Sequence, residues 1–101
     1  MPAVARKSGV DSVNTNHGCD GTTVTEQGSG DVFANNIGVV RAGDLDRVHR
    51  VSGRGCSNSH QQSLSSYSGN VYANNKNIGR LGDAYGGETI TSGSPNVFAN
   101  G

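Results

Sequence analysis

An internal repeat, split between the two ends of the chain, is the feature that most restricts how this sequence can fold. Residues 28–44 read GSGDVFANNIGVVRAGD and residues 67–83 read YSGNVYANNKNIGRLGD. Aligned without gaps, Val32 falls on Val71, Phe33 on Tyr72, Ala34 on Ala73 and Asn35-Asn36 on Asn74-Asn75. Further along, Arg41 falls on Arg80 and Gly43-Asp44 on Gly82-Asp83. The last nine residues, GSPNVFANG at 93–101, repeat only the first half of the unit, and Pro2–Arg6 resembles only the second half. Each full unit reads as a hairpin. A short Val-aromatic-Ala strand leads into an Asn-Asn turn, whose residues tolerate left-handed backbone, and a second strand ends at Arg-x-Gly-Asp. First strands begin at Val32, Val71 and Val97, and second strands end at Arg6, Arg41 and Arg80. The third hairpin is completed only if the N-terminal segment pairs with the C-terminal one, which closes the chain on itself with pseudo-threefold symmetry.

The alternation of strand side chains puts Val and Ala on one face and Phe33, Tyr72 and Phe98 on the other. One of these faces packs the interior and the other forms an adhesive base; the pattern leaves open which is which. The fold expected is all-β, one domain over residues 1–101, built of short strands and hairpins, rich in loops and nearly free of helix. The segments between repeats, 12–30 and 45–69, read as loops, with short strands near Thr22–Thr25 and Glu88–Thr91.

Composition matters because such a chain has little to bury. Apolar residues make up 32%, Gly contributes 16 of 101 residues, and Trp is missing. Hydrophobic burial on that scale does not offset chain entropy unaided, so the chain is either disordered or held by a staple: a metal, a disulfide or a partner. Eight basic and eight acidic residues balance to zero net charge, which gives no electrostatic footprint for nucleic acid or an anionic membrane. No apolar run approaches the roughly 18 residues of a transmembrane helix, and Met1–Lys7 lacks the apolar stretch of a signal peptide. Synthesis in the cytosol without export by a signal peptide is the expectation. It weighs against a Cys19–Cys56 disulfide and in favour of metal or free-thiol roles.

All three histidines and both cysteines lie in the two longer inter-repeat loops: His17 and Cys19 in the first, His49, Cys56 and His60 in the second. Their clustering in loops of a core-poor chain points to one structural metal site, and the donor types suit Zn2+. The Cys56-x-x-x-His60 spacing permits joint chelation, and His17 would cross-link the loops. The set favoured is His17, His49, Cys56 and His60, with Cys19 as the alternative ligand. Four protein donors leave no open position for an activated water, so a non-catalytic site is expected.

These residues resemble the PAAR-repeat proteins. Pro2-Ala3-Val4-Ala5-Arg6 is similar to the Pro-Ala-Ala-Arg motif that names the family. Val-Phe-Ala-Asn at 32–35 and 97–100, together with Arg-Ala-Gly-Asp at 41–44 and Arg-Leu-Gly-Asp at 80–83, is similar to its repeated core. The resemblance covers essentially the whole chain. It implies a pointed cone of short strands with pseudo-threefold symmetry, whose broad base sits on the blunt end of a homotrimeric β-helical spike, one copy per trimer. Docking and core positions are then Val32, Phe33, Val71, Tyr72, Val97 and Phe98. It also implies a zinc near the vertex held by three histidines and one cysteine, here His17, His49, Cys56 and His60. The role implied is a spike tip that pierces a target envelope and touches the outer membrane transiently. The short form favours the virion of a contractile-tailed phage, made in the host cytoplasm, over a type VI secretion spike tip. With nothing after Gly101, a bare tip without a fused effector is the expectation. The chain departs from the family pattern in three places: Asp44 is not followed by Pro, no Gly-Asp directly follows Arg6, and the third loop is short.

Two other function classes fit less well. A zinc hydrolase requires a general base beside an open metal position, yet Glu26 and Glu88 stand outside any HExxH-type context, and Asp44 and Asp83 read as turn residues. A carbohydrate-binding β module would fit threefold repetition, but the repeats are short and Trp is missing.

Overall fold

The computed structural model describes residues 1–101, apart from the side chain of Arg54. It is all-β, in two tiers of hairpins. The lower tier is made by the repeats. Strands β3 (Phe33–Ala34) and β4 (Ile37–Gly38) form one hairpin, and β7 (Tyr72–Ala73) and β8 (Lys76–Asn77) form its equivalent. Their turns are made by Asn35-Asn36 and Asn74-Asn75, with φ of 55° and 66° and of 55° and 63°. Positive φ at both central residues is what a two-residue hairpin needs to match strand twist. The third hairpin is assembled from the chain ends through an antiparallel bridge between Ala3 and Phe98.

Backbone hydrogen bonds repeat around the tier. Val39 N–H donates to the Val32 carbonyl (3.0 Å), Ile78 to Val71 (2.9 Å) and Val4 to Val97 (2.9 Å). One residue further along, the three units join: Val40 N–H donates to Ala5 O (2.9 Å), Ala5 to Gly79 O (3.0 Å) and Gly79 to Val40 O (2.8 Å). This is a closed three-membered ring, so the split repeat does close on itself. Gly79 takes the ring place that Ala5 and Val40 fill elsewhere because a Cβ there would lie 2.6 Å from Leu64 Cδ2.

Polar side chains lock the same symmetry. Buried Ser29, Ser68 and Ser94 each accept two backbone N–H groups through Oγ, from the residues two and three positions on. Each also donates to the next unit: Ser29 to Asn74 Oδ1, Ser94 to Asn35 Oδ1 and Ser68 to the Asn100 carbonyl. The repeat arginines make bidentate pairs, Arg41 with Asp44 and Arg80 with Asp83. Arg6 pairs in the same way with Asp11, so the first unit does have its aspartate, two residues later than in the other units.

Val and Ala face inward. Val4, Val39 and Ile78 with Ala34, Ala73 and Ala99 form the lower core, against which Val32 and Val71 pack. Phe33, Tyr72 and Phe98 point outward and stay 56%, 57% and 48% exposed, so the aromatic face is the outer one. An upper core of Ala5, Val13, Val40, Leu64, Tyr85 and Ile90 continues inward from the ring.

The upper tier consists of three more hairpins grown from the inter-repeat segments. They pair β1 (Ser12–Asn14) with β2 (Thr22–Val24), β5 (His49–Arg50) with β6 (Ser59–His60), and β9 (Ala84–Tyr85) with β10 (Glu88–Ile90). Strand β10 also pairs with β1, giving a four-stranded sheet in the order β2-β1-β10-β9. The two longer segments are therefore less loop-like than expected, although the strands near Thr22 and Glu88 fall where anticipated. The molecule is elongated, 40 × 23 × 22 Å, with two nearly equal short axes. Its one helical feature among the described residues is a 3-10 turn at Arg54–Cys56.

Candidate metal centre

Each upper hairpin sends a side chain to one point. His17 comes from the tip of the first, between β1 and β2. His49 and His60 come from the second, where the antiparallel register places them directly opposite each other. Glu88 comes from the start of β10 in the third. Glu88 Oε2 lies 2.8 Å from His17 Nε2, 2.6 Å from His49 Nε2 and 2.8 Å from His60 Nε2. The ring nitrogens of His17 and His60 are 3.1 Å apart, and those of His60 and His49 are 2.9 Å apart. One donor atom from each of the four residues falls within 4.8 Å of the rest.

Two ring nitrogens at 2.9 Å cannot both carry a hydrogen directed at the other, so at least one of the two presents a lone pair there. For His49 the tautomer is set from behind. Its Nδ1–H donates to the Arg47 carbonyl at 2.7 Å, which leaves Nε2 unprotonated in the neutral ring. Such a backing carbonyl is the usual support of a metal-ligating imidazole. Glu88 and His49 are buried, whereas the His17 and His60 side chains are 23% and 29% exposed, so an ion has a way in.

The electrostatics favour a cation as well. Burial acts to raise the pKa of the Glu88 carboxyl, but its contacts with Asp46 and the three histidine rings outweigh it and hold the group well below its ordinary value. Asp46, wholly buried beside Glu88, is pushed up instead, first by burial and then by its contact with Glu88. Burial alone would lower the pKa of His49; the Arg47 carbonyl and Glu88 reverse that and leave it raised. The cluster thus holds a buried negative charge ringed by imidazoles, an N3O donor set that can hold a metal ion.

Three of the four ligands expected from sequence, His17, His49 and His60, are brought together. Cys56 is not among them, because its sulfur is bonded to Cys19 across a Cα–Cα distance of 5.8 Å. Both the Cys56 thiolate and the free Cys19 are therefore corrected to a disulfide. The physical reason is that the tips of the first two hairpins are already clasped. Arg50 makes a bidentate pair with Asp20, and Gly18 N–H donates to Ser52 Oγ, which aligns the two cysteines. Glu88 was missed because it stands alone in a segment without His or Cys. Its only sequence signal was its place on a short strand that follows the Gly86-Gly87 turn. Val32, Phe33, Val71, Tyr72, Val97 and Phe98, expected from the resemblance as docking or core positions, lie in the lower tier, with the three aromatics and Val97 exposed.

No protein-family model and no curated protein matches this sequence.

Proposed function

We propose that this chain is a non-enzymatic tip: a metal-pinned β cap that seats its lower tier on the blunt end of a homotrimeric β-helical spike and sharpens it for piercing a cell envelope. The observation that carries this reading is the closed ring of Ala5, Val40 and Gly79. Through it a single chain presents a threefold end, and only a threefold end matches a trimer without leaving two-thirds of the contacts unmade. The equivalent exposed aromatics Phe33, Tyr72 and Phe98 supply the apolar contact, a pattern that marks interaction surfaces. The resemblance to PAAR-repeat proteins supports the same docking, as a phage-tail tip in a virion or as the tip of a type VI secretion spike.

In this reading one Zn2+ is held by His17, His49, His60 and Glu88. All three upper hairpins contribute a donor, so the ion would tie together a tier whose strands are two or three residues long. Four protein donors suit a structural zinc, and binding energy at such sites is folding energy, about 10 kcal/mol or more. A carboxylate then replaces the cysteine that the family resemblance implied.

Native mass spectrometry of the chain co-expressed with a trimeric β-helical spike tests both parts at once. The expected species is one chain and one zinc per spike trimer. Three chains per trimer would contradict the threefold docking, and a complex without metal would contradict the zinc.

A further inference from the structure

We propose that the Cys19–Cys56 bond is a redox-operated latch on the metal centre, closing His17 onto the other three donors when oxidised and releasing it when reduced. The inference rests on the metal reading above. His49 and His60 are fixed by strand pairing, and Glu88 is fixed by β10 within the four-stranded sheet. His17 lies outside any strand. Its backbone N–H donates to Thr15 Oγ1 at 3.2 Å, and Thr15 in turn bonds the Asp20 and Gly21 carbonyls, so its frame is internal to the tip and does not reach the other donors. His17 sits on the tip segment Thr15–Gly21, in which Thr15 alone is buried. The backbone there turns through positive φ at Asn16 (62°) and Asp20 (36°).

Besides the disulfide, what ties this tip to its neighbours is at the surface. Asn16 Nδ2 donates to the Gly87 carbonyl at 3.3 Å and Gly18 N–H to Ser52 Oγ, both exposed. The Arg50–Asp20 pair is 60% and 30% exposed, so solvent screens most of its strength. The disulfide is the covalent tie among these. It lies two residues from His17 and joins its segment to the hairpin that carries His49 and His60.

Both cysteines are partly exposed, which permits thiol–disulfide exchange. A small-molecule thiol RSH attacks one sulfur and a second RSH resolves the mixed disulfide. The products are Cys19–SH, Cys56–SH and RS–SR, and the two electrons that reduce the protein come from the two thiols. In a thiol-rich compartment the latch is open and the ion is held by His49, His60 and Glu88. In an oxidising one it closes and the fourth donor is added.

Co2+ and Zn2+ titrations of the full chain, in competition with a chromophoric chelator, test the latch. The oxidised protein should show no free thiol and bind Co2+ without a thiolate-to-metal charge-transfer band. Reduction, or the C19S/C56S variant, should weaken Zn2+ binding by about 10–100-fold, the range typical of lost support for a ligand. His17→Ala should weaken oxidised binding to the same degree, and reducing that variant should add nothing, because both changes remove one interaction. Equal affinity of oxidised and reduced wild type would overturn the latch and leave the metal reading intact. So would a thiolate band on reduction, because a cysteine would then have entered the coordination shell. Two free thiols in protein kept under air would also overturn it. An oxidised chain that takes up neither metal ion would overturn the metal reading and the latch with it.

Discussion

The three arginine–aspartate pairs join a repeat residue to its own turn, and two of them, through Arg6 and Arg41, also reach a neighbouring unit. Arg41 forks onto both oxygens of Asp44 and also donates to Asn74 Oδ1 and the Gly28 carbonyl. Asp44 is 4% exposed and in addition accepts the Arg41 backbone N–H, so removing it strands a guanidinium in a largely dry site. Loss of one member of a buried pair costs about 3 kcal/mol or more. Asp44→Ala is therefore expected to lower the unfolding free energy by about 3 kcal/mol in urea titration; a loss below about 1 kcal/mol would show the pair to be merely decorative. The aspartate was legible at Asp44 and Asp83, three residues after the arginine, but not at Asp11, where two extra residues hide the same contact. Legibility at the metal centre stops at the same kind of boundary. Histidines are scarce enough that their clustering is a signal, whereas a lone glutamate in a chain with eight acidic residues is not. Glu88 becomes a candidate only once three-dimensional pairing sets it against the imidazoles.

Elements in this chain are two or three residues long, so turns and not strand propensity decide where they form. The lower hairpins were readable because Asn-Asn supplies the turn and Val-x-Ala the inward face. Of the upper hairpins only one strand each of two, near Thr22 and Glu88, was readable, and the third not at all, since β5 and β6 consist of His49-Arg50 and Ser59-His60, polar residues with no alternation to recognise. Their pairing comes from the Asp20–Arg50 clasp, the disulfide and the donors at the metal cluster, all of them contacts distant in sequence. The turn argument makes a graded prediction at Asn75, whose φ is 63°. Asn75→Gly should leave stability unchanged or slightly raised, because glycine enters left-handed backbone freely. Asn75→Val should cost about 1–2 kcal/mol, the penalty of that region for a residue with a Cβ, aggravated by branching. Thermal melts of the two variants would separate them; equal stability would mean that the Asn-Asn turn does not govern the hairpin.

At the scale of the whole molecule the design has two ends with opposite requirements. The upper end is pinned by the disulfide and the four-donor cluster, while the lower end keeps Phe33, Tyr72 and Phe98 in solvent. Those rings belong to neither core cluster, so folding does not depend on them. Replacing all three with serine should therefore change the melting temperature little, surface substitutions away from special features usually staying within about 0.5 kcal/mol. The same variant should be more soluble alone, because it loses three exposed aromatic rings. Docking is where it should fail. If a trimer's end contacts the three positions equivalently, each single substitution should weaken spike binding by a similar factor, and the triple variant should bind too weakly to be isolated as a complex. Unequal single effects, with one ring carrying nearly all the affinity, would indicate an off-axis partner and remove the case for a trimer. Full binding by the triple variant would move the docking surface elsewhere. Isothermal titration of the four variants against one spike, with their melting curves measured alongside, distinguishes these results, because only a threefold surface makes three residues distant in sequence interchangeable in energy.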